Sequence, residues 1–421
     1  MISVEEALER ILSYVTVLEP EEKPILDALG QVLAEDITSD LDIPPLDNTA
    51  MDGYAVRAED TAAASPQSPI RLQVVGELAA GYVYEGKVRP GTAVRIMTGA
   101  PLPPGADAVA PFEDTYESGS HAFGRFSKAA DSVLVCKAVR PGANVRRAGE
   151  DVTRGALVLS RGTILRPAHI GVLASLGRAT VRVIRRPVVA VLSTGDELVE
   201  VGQPLRPGAI YDSNTYSVAA MILQNGGLPR VLGIARDTVE DLTAKIRQGL
   251  DADMLITSAG VSRGDYDVVK DVLAREGEVD FWTVRMRPGK PLAFGAFDSG
   301  GRRVPHIGLP GNPVSSMVTF ELFGRPALFK MMGKSRWQRP TIRAVSEDRI
   351  TNNDGRRVFA RAIVSQRNGR YYASLTGPQG SGILTSMSLA NALLVVPEDV
   401  PVVEPGDEVS AIMLDWTQGE G

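Results

Sequence analysis

Acidic side chains recur in this chain where an α/β pattern places the carboxyl ends of strands. The first lies in Ser193-Thr194-Gly195-Asp196-Glu197-Leu198, the second in Ala235-Arg236-Asp237, and the third in Ala259-Gly260-Val261-Ser262-Arg263-Gly264-Asp265-Tyr266-Asp267. Loops at one edge of a parallel sheet converge, so Glu197, Asp237 and Asp267 could approach one cation. Two or three carboxylates together with phosphate oxygens make a Mg2+ site. The plainer alternative is that Asp237 and Asp267 cap the helices that follow them. Other loops are cationic and proline-stiffened. Arg287-Pro288-Gly289-Lys290-Pro291 carries two positive charges, and Leu309-Pro310-Gly311-Asn312-Pro313-Val314-Ser315 runs into an apolar helix expected over 316–322. Backbone N–H groups at such a helix start suit an oxyanion or phosphate. Taken singly, these loops read more readily as structural turns with a solvated lysine. Taken together, acids on some loops and cations on neighbouring ones describe a metal–phosphate site.

The elements around these loops divide the chain. Residues 188–192 are a continuous apolar run, as in a buried parallel strand. Helices are expected over 213–224, 239–250 and 267–276, alternating with strands over 230–235 and 254–257. Alternation of this length predicts a doubly wound α/β domain spanning 187–332, and ligands in such sheets collect beyond the carboxyl ends of the strands. Before it, Ser3 and Glu6 form a capping box, and Ala7, Ile11 and Val15 repeat at helical spacing. A second short helical stretch is expected over 24–34. Short alternating strands such as 70–75 and 93–97 define a small β-rich domain over 46–140. Residues 141–186 carry more short strands and a helix over 167–176 with Pro167 in its first turn. They group with residues 1–45 as an N-terminal helical/β linker domain, discontinuous in sequence. Residues 336–416 return to β character as a C-terminal β-barrel-like domain. The expected class is therefore multidomain, α/β plus β.

Composition excludes several functions. The chain has 421 residues, enough for several cores. Its 45 Lys and Arg stand against 51 Asp and Glu, a net charge of −6, which disfavours general nucleic-acid binding. A single cysteine, Cys136, excludes an internal disulfide and a thiolate zinc site. None of the three histidines (His121, His169, His306) sits in a catalytic motif. No apolar run approaches the roughly 20 residues of a membrane span. The first residues show no basic-then-apolar pattern, so a cytoplasmic protein without signal peptide or membrane contact is expected. Neither Gly-x-Gly-x-x-Gly nor a Walker A loop is present, which disfavours dinucleotide oxidoreductases and P-loop kinases.

Seven segments in this order resemble the molybdopterin molybdenumtransferase family, that of bacterial MoeA and the E domain of gephyrin. They are 48–57 (with Asn48-Thr49-Ala50-Met51-Asp52-Gly53-Tyr54-Ala55), 96–101, 193–198, 260–267, 288–291, 310–315 and 379–391. The resemblance covers nearly the whole chain. It implies a molybdopterin-binding-type central domain in an elongated subunit that forms a homodimer, with a cleft shared between subunits. It implies adenylyl-molybdopterin and molybdate as substrates, Mg2+ as cofactor, AMP and molybdenum cofactor as products, and partner proteins of cofactor biosynthesis. Residue by residue, it implies that Glu197, Asp237 and Asp267 surround the cation and adenylate. Asp52 and Asp151 would be further functional acids, with Asp52 and Thr98 reaching the cleft from the other subunit. Ser193, Thr194, Gly195, Gly260, Ser262, Pro291, Pro310 and Pro313 would line the substrate. Arg287, Lys290, Ser315, Arg361 and Ser381 would form the molybdate pocket, with Arg356 and Arg357 as neighbouring rivals to Arg361. This chain departs from the pattern at Arg287, where relatives often carry Lys, and at Ala259, where the common segment begins with Gly. A pyrophosphatase on a nucleotide-like substrate would use the same acids but leave Arg361 and Ser381 without purpose. A pure scaffold would have no need of Glu197, Asp237, Asp267 and Lys290.

Overall fold

The computed structural model describes residues 1–117, 131–259, 272, 275 and 277–415. The chain forms two compact units. One comprises Met1–Lys23, Ala28–Ala34 and Arg182–Gly421; the other comprises Pro24–Asp27 and Glu35–Val181.

The first unit is built on six strands: β1 (Val188–Thr194), β2 (Leu228–Ala235), β3 (Met254–Ser258), β4 (Gly277–Thr283), β5 (Pro291–Ser299) and β6 (Arg302–Leu309). Their spatial order is β2-β1-β3-β6-β5-β4. The first four in that order run parallel, and β5 and β4 extend the sheet antiparallel. Successive residues of a strand face opposite sides, and in β1 both sides are core. Val189 and Val191 pack with Val218 and Ile222 of the helix Ser213–Gln224, and Ala190 and Leu192 pack with Leu242 and Ile246 of the helix Val239–Gly249. Burial on both faces is why β1 reads as an unbroken apolar run. Register then sets the site: Ser193 lies opposite Ser258, and Ser258 opposite Leu309. The loops after β1, β3 and β6 therefore leave the sheet at one level.

The helix Val4–Tyr14 starts as its capping box predicts, with Ser3 Oγ accepting the Glu6 N–H at 3.0 Å. Residues 1–23 were grouped with 141–186 from sequence. They pack instead into the α/β unit, because Ala7, Ile11 and Val15 are buried in the same core as Val189 and Phe294. The helical stretch expected over 24–34 is a correction. Residues 25–30 form successive turns that end at Gly30, φ +78°. Leu26 and Leu29 are exposed there, so the segment has no single apolar face to bury as a helix. After β6 the chain is helical over Pro313–Thr319, makes a π turn over Phe320–Gly324, and continues helical over Arg325–Met331.

The C-terminal part of this unit is a closed barrel. Arg357–Arg367, Arg370–Leu375, Thr341–Ser346, Glu408–Met413 and Ala392–Val396 pair in that order, and the last pairs back on the first. Closure leaves the ring without a free edge. Met286–Arg287 adds to the barrel parallel to Arg357 and Val358, so the Arg287–Lys290 loop runs from the barrel straight into β5.

The second unit holds a six-stranded sheet in the order Ala108–Pro111, Gly53–Val56, Thr92–Ile96, Ile70–Leu78, Ser132–Val135, Thr115–Glu117. It also contains the helix Pro167–Ser175, with Pro at its start as expected. Among the described residues no helix is long and apolar enough to cross a membrane.

Candidate active site

A cleft of about 870 Å3 opens where β1, β3 and β6 end. Its α/β wall includes Ser193 and Thr194 from the end of β1, Glu197 from the loop after it, and Ser258 and Ala259 from the end of β3. Pro310 comes from the loop after β6, and Pro313 and Ser315 from the first turn of the helix that follows. The facing wall carries Arg287, Lys290 and Pro291, together with Arg356 and Ser381 from the barrel. The two loop families read from sequence thus meet in one cavity. Gly260, Ser262 and Asp267 lie outside the described residues.

On the acidic side, Glu197 is exposed to the cleft. Gly195, φ +144°, lies under it, and a Cβ there would meet the Glu197 carboxylate at 2.5 Å. That carboxylate can swing aside, but the positive φ strains any residue with a Cβ, so the turn needs glycine. Asp237 Oδ2 accepts the N–H of Asp196 at 3.4 Å, which places it beside the same loop. The capping alternative for Asp237 is settled: Thr238 is the N-cap of Val239–Gly249. Two residues the sequence reasoning passed over also face the cleft, Asp212 and Asn214. Asp212 is buried and caps the helix Ser213–Gln224, accepting from Thr215 N at 3.1 Å and from Ser193 Oγ at 3.0 Å. Asn214 Nδ2 donates to Ser258 Oγ at 2.8 Å and Gly311 O at 2.7 Å, tying together the loops after β3 and β6. An Asp-x-x-Thr cap ahead of an apolar helical run, in the first crossover after β1, was the available signal. Among the described residues no three acid, histidine or cysteine side chains gather as a metal cluster. Of the acids expected there, among the described residues only Glu197 lines the cleft, joined by Asp212, while Asp237 lies beside the loop and off the wall; two carboxylates are what Mg2+ takes when substrate phosphates supply the rest.

On the cationic side, Lys290 is exposed and forms no ion pair among the described residues. Gly289 has φ +97°, and a Cβ there would meet Thr319 Oγ1 at 2.6 Å, so the loop rests directly on the helix after β6. Arg287 donates to Thr351 O at 2.7 Å. Val314 N–H, at the helix start expected to face an oxyanion, donates to Ser381 O at 3.0 Å instead. It locks the Pro310 and Ser381 loops together. Arg361 is the main departure from expectation. Its side chain is 1% exposed, and every guanidinium nitrogen donates inward. The acceptors are Ser386 Oγ at 3.1 Å, Gln379 O at 3.1 Å, Pro378 O at 3.3 Å and Gly380 O at 2.9 Å. Arg361 braces the loop that presents Ser381, while Arg356, the neighbouring rival, stands at the cleft wall.

Ala259 holds φ +75°, a left-handed conformation that costs a residue with a Cβ about 1–2 kcal/mol. Ala259→Gly is expected to stabilise the protein by about 0.5–1 kcal/mol after the entropy of the unfolded glycine is counted. A urea midpoint that stays put or falls would show that this backbone is not strained.

Asp52 and Thr98 meet in the second unit. Asp52 Oδ1 accepts the Thr98 backbone N–H at 2.6 Å and its hydroxyl at 2.7 Å. These bonds, the backbone one foremost, hold the carboxyl below its ordinary range. A lowered folded pKa contributes stability above the unfolded pKa and loses it as pH falls through the folded value. Thr98→Ala removes only the hydroxyl bond and should move the Asp52 titration partway up, as followed by carboxyl NMR; an unmoved titration would count against this account. Asp151 is exposed in the same unit, its backbone N–H bonded to Ile43 O at 2.9 Å. His306 is fully buried against Thr257 Oγ1, and burial pushes it down to about 3, so it is neutral near pH 7. His169 binds the Arg166 N–H at its helix start, and His121 lies outside the described residues.

Carboxylate and hydroxyl oxygens together with arginine and lysine, at the carboxyl edge of a mostly parallel α/β sheet, define a site for an anionic ligand. Three family models match in order: the MoeA N-terminal region (domain I and II) over residues 2–177, a probable molybdopterin binding domain over 190–330, and the MoeA C-terminal region (domain IV) over 343–414. Molybdopterin molybdenumtransferase 2 of Mycobacterium tuberculosis is 41% identical, covering 97% of this chain and 98% of its own length. The molybdopterin molybdenumtransferase of Bacillus subtilis is 35% identical over 99% and 95%. The crystal structure of a MoeA protein from Pyrococcus horikosii superposes with a TM-score of 0.82 at 35% identity, covering 99% of both chains. The chain belongs to the MoeA family of molybdopterin molybdenumtransferases, transferases of molybdenum cofactor biosynthesis.

Proposed function

We propose that this chain inserts molybdate into adenylyl-molybdopterin, releasing AMP and leaving molybdenum cofactor. The observation that carries this is the single cleft in which Glu197 and Asp212 face Arg287, Lys290 and Arg356. One wall suits a phosphoanhydride and the other an oxyanion. The two dithiolene sulfurs replace two molybdate oxygens, which leave as water after taking up protons, and an oxygen nucleophile cleaves the phosphoanhydride. No protein nucleophile is required, in keeping with a buried neutral His306. Arg287, Lys290 and Arg356 offset the repulsion between two anions brought together. Ser315 and Ser381 hydrogen-bond molybdate oxygens, and Arg361 keeps the Ser381 loop in place. Glu197 and Asp212 would offer carboxylate oxygens to a divalent cation such as Mg2+ alongside the substrate's phosphate oxygens, and the cation when bound would supply Lewis acidity toward the phosphoanhydride.

The same proposal makes the protein a cytoplasmic homodimer in which the partner subunit's Asp52 and Thr98 complete the cleft. Asp52 supports this by being exposed, ionised and already oriented by Thr98. Incubation with adenylyl-molybdopterin and molybdate should yield AMP together with cofactor that activates an apo-molybdoenzyme. AMP without cofactor would make the protein a pyrophosphatase. Asp52→Ala and Glu197→Ala should each be inactive as pure dimers. Exchanged one to one, they should recover about a quarter of native activity, since half the dimers then carry one intact cleft of two. Failure to recover would reject the shared cleft.

A further inference from the structure

One acid paired with the cationic wall has no place in the chemistry above. Asp354 sits on the short connection between Thr351 and Arg357 of the barrel. Its carboxylate accepts from Arg356 Nε at 3.0 Å and also from Arg356 Nη2, and its Oδ1 accepts the Arg356 N–H at 3.3 Å. The same carboxylate is 3.7 Å from Arg287 Nη1. Arg287 and Arg356 are two of the three cations lining the cleft, and the third, Lys290, stands apart from the acid. Asp354 is thus an anion already seated between two guanidiniums that an incoming oxyanion would need. Its charge reduces the formal charge of the wall from three positive to two, the complement of a dianion. The two arginines hold its carboxyl below the ordinary range, the Arg356 hydrogen bond foremost, so it is charged throughout the neutral range.

We propose that Asp354 is an internal counter-anion that competes with the oxyanion substrate and sets the affinity of the cleft for it. The proposal rests on the assignment of this wall to molybdate. The pair is partly exposed, so its own contribution to stability is small. Its effect falls on binding: an incoming anion must either displace the carboxylate or bind against its field. Arg287 has an alternative way to remain placed, since it also donates to Thr351 O.

The test is a titration of full-length enzyme with molybdate, reading cofactor formation, for the native protein, Asp354→Asn and Asp354→Glu. Removing one negative charge roughly 8 Å from a bound dianion, at an effective dielectric near 40, tightens binding about thirty-fold. The half-saturating molybdate concentration of Asp354→Asn should fall by about that factor, with a steeper loss of affinity in added salt. Asp354→Glu should stay near the native value. Inorganic phosphate, as a competitor, should inhibit Asp354→Asn more strongly than the native enzyme. An unchanged or raised half-saturation in Asp354→Asn overturns the proposal while leaving the molybdate assignment intact. A native enzyme whose cofactor formation does not saturate with molybdate overturns both.

Discussion

Arg361→Ala is expected to lower the unfolding free energy by about 3 kcal/mol, because charged-donor hydrogen bonds contribute about 1.5–3 kcal/mol each and solvent regains only part of the loss. Among the described residues the guanidinium alone donates from a side chain to the carbonyls of Pro378, Gln379 and Gly380, and it also holds Ser386 Oγ. Its charge has no carboxylate partner among the described residues, and burial lowers its pKa. The brace is completed from the other side, where Gln379 Oε1 accepts the Arg361 N–H at 2.8 Å. Without the fork, the Ser381 loop loses its shape, and molybdate half-saturation should rise along with the loss of stability. Arg361→Lys keeps the charge but not the geometry, since a single ammonium cannot reach four acceptors spread over three consecutive carbonyls and a hydroxyl. It should recover only a minor part of either effect. Denaturant unfolding paired with a molybdate titration decides the matter. A variant of native stability that has lost its molybdate dependence would mean the guanidinium touches the anion during turnover.

That distinction marks where sequence ran out. Phe359-Ala360-Arg361 places a basic residue near the right loop, but a sequence does not say whether an arginine points into a cavity or into its own backbone. Arg356 and Arg361 are separated by a few residues on one connection and strand, and only barrel closure decides which one lines the cleft. The α/β loops were legible because strand ends and helix starts are local patterns, and β1 shows both-face burial directly in its composition. The same patterns did not reveal Asp212. It looks like an ordinary helix cap, which it is, and its second role depends on Ser193 arriving from a neighbouring strand. The turns over 25–30 differ from the expected helix because Leu26 and Leu29 are exposed and no single apolar face is there to hold a helix down. Ala259 was legible as a departure from pattern, but its positive φ was not, since backbone conformation at a loop follows from what the chain must reach next.

The cleft has two walls from two structural layers of one unit, so its geometry depends on how the barrel is fixed to the helix after β6. That joint contains a buried ion cluster. Glu321, 2% exposed, lies in the π turn and accepts from Arg325 Nε, from Arg339 Nε at 2.8 Å and from Arg339 Nη2 at 3.1 Å. Arg339 lies just before the first barrel strand and donates to Leu414 O at 3.0 Å, at the end of the last. One carboxylate therefore links the helix to both ends of the barrel chain. Glu321→Ala leaves Arg325 buried beside Arg339 with no anion between them, and breaking a buried pair in this way costs about 3–5 kcal/mol. For a unit of this size that corresponds to a fall in Tm of about 10 °C. Glu321→Gln keeps an acceptor while removing the charge, and should lie between native and alanine. The consequence for function is specific. As the joint loosens, Ser381 and Arg356 on the barrel lose their fixed distance from Ser315 and Glu197 on the sheet. Molybdate half-saturation in Glu321→Ala should therefore rise at temperatures well below the new Tm. Calorimetry and activity measured on the same preparation separate the outcomes. A native Tm would show that the cluster does not hold the joint. A lowered Tm with native half-saturation would show that the two walls keep their spacing by other contacts, such as the Val314–Ser381 bond.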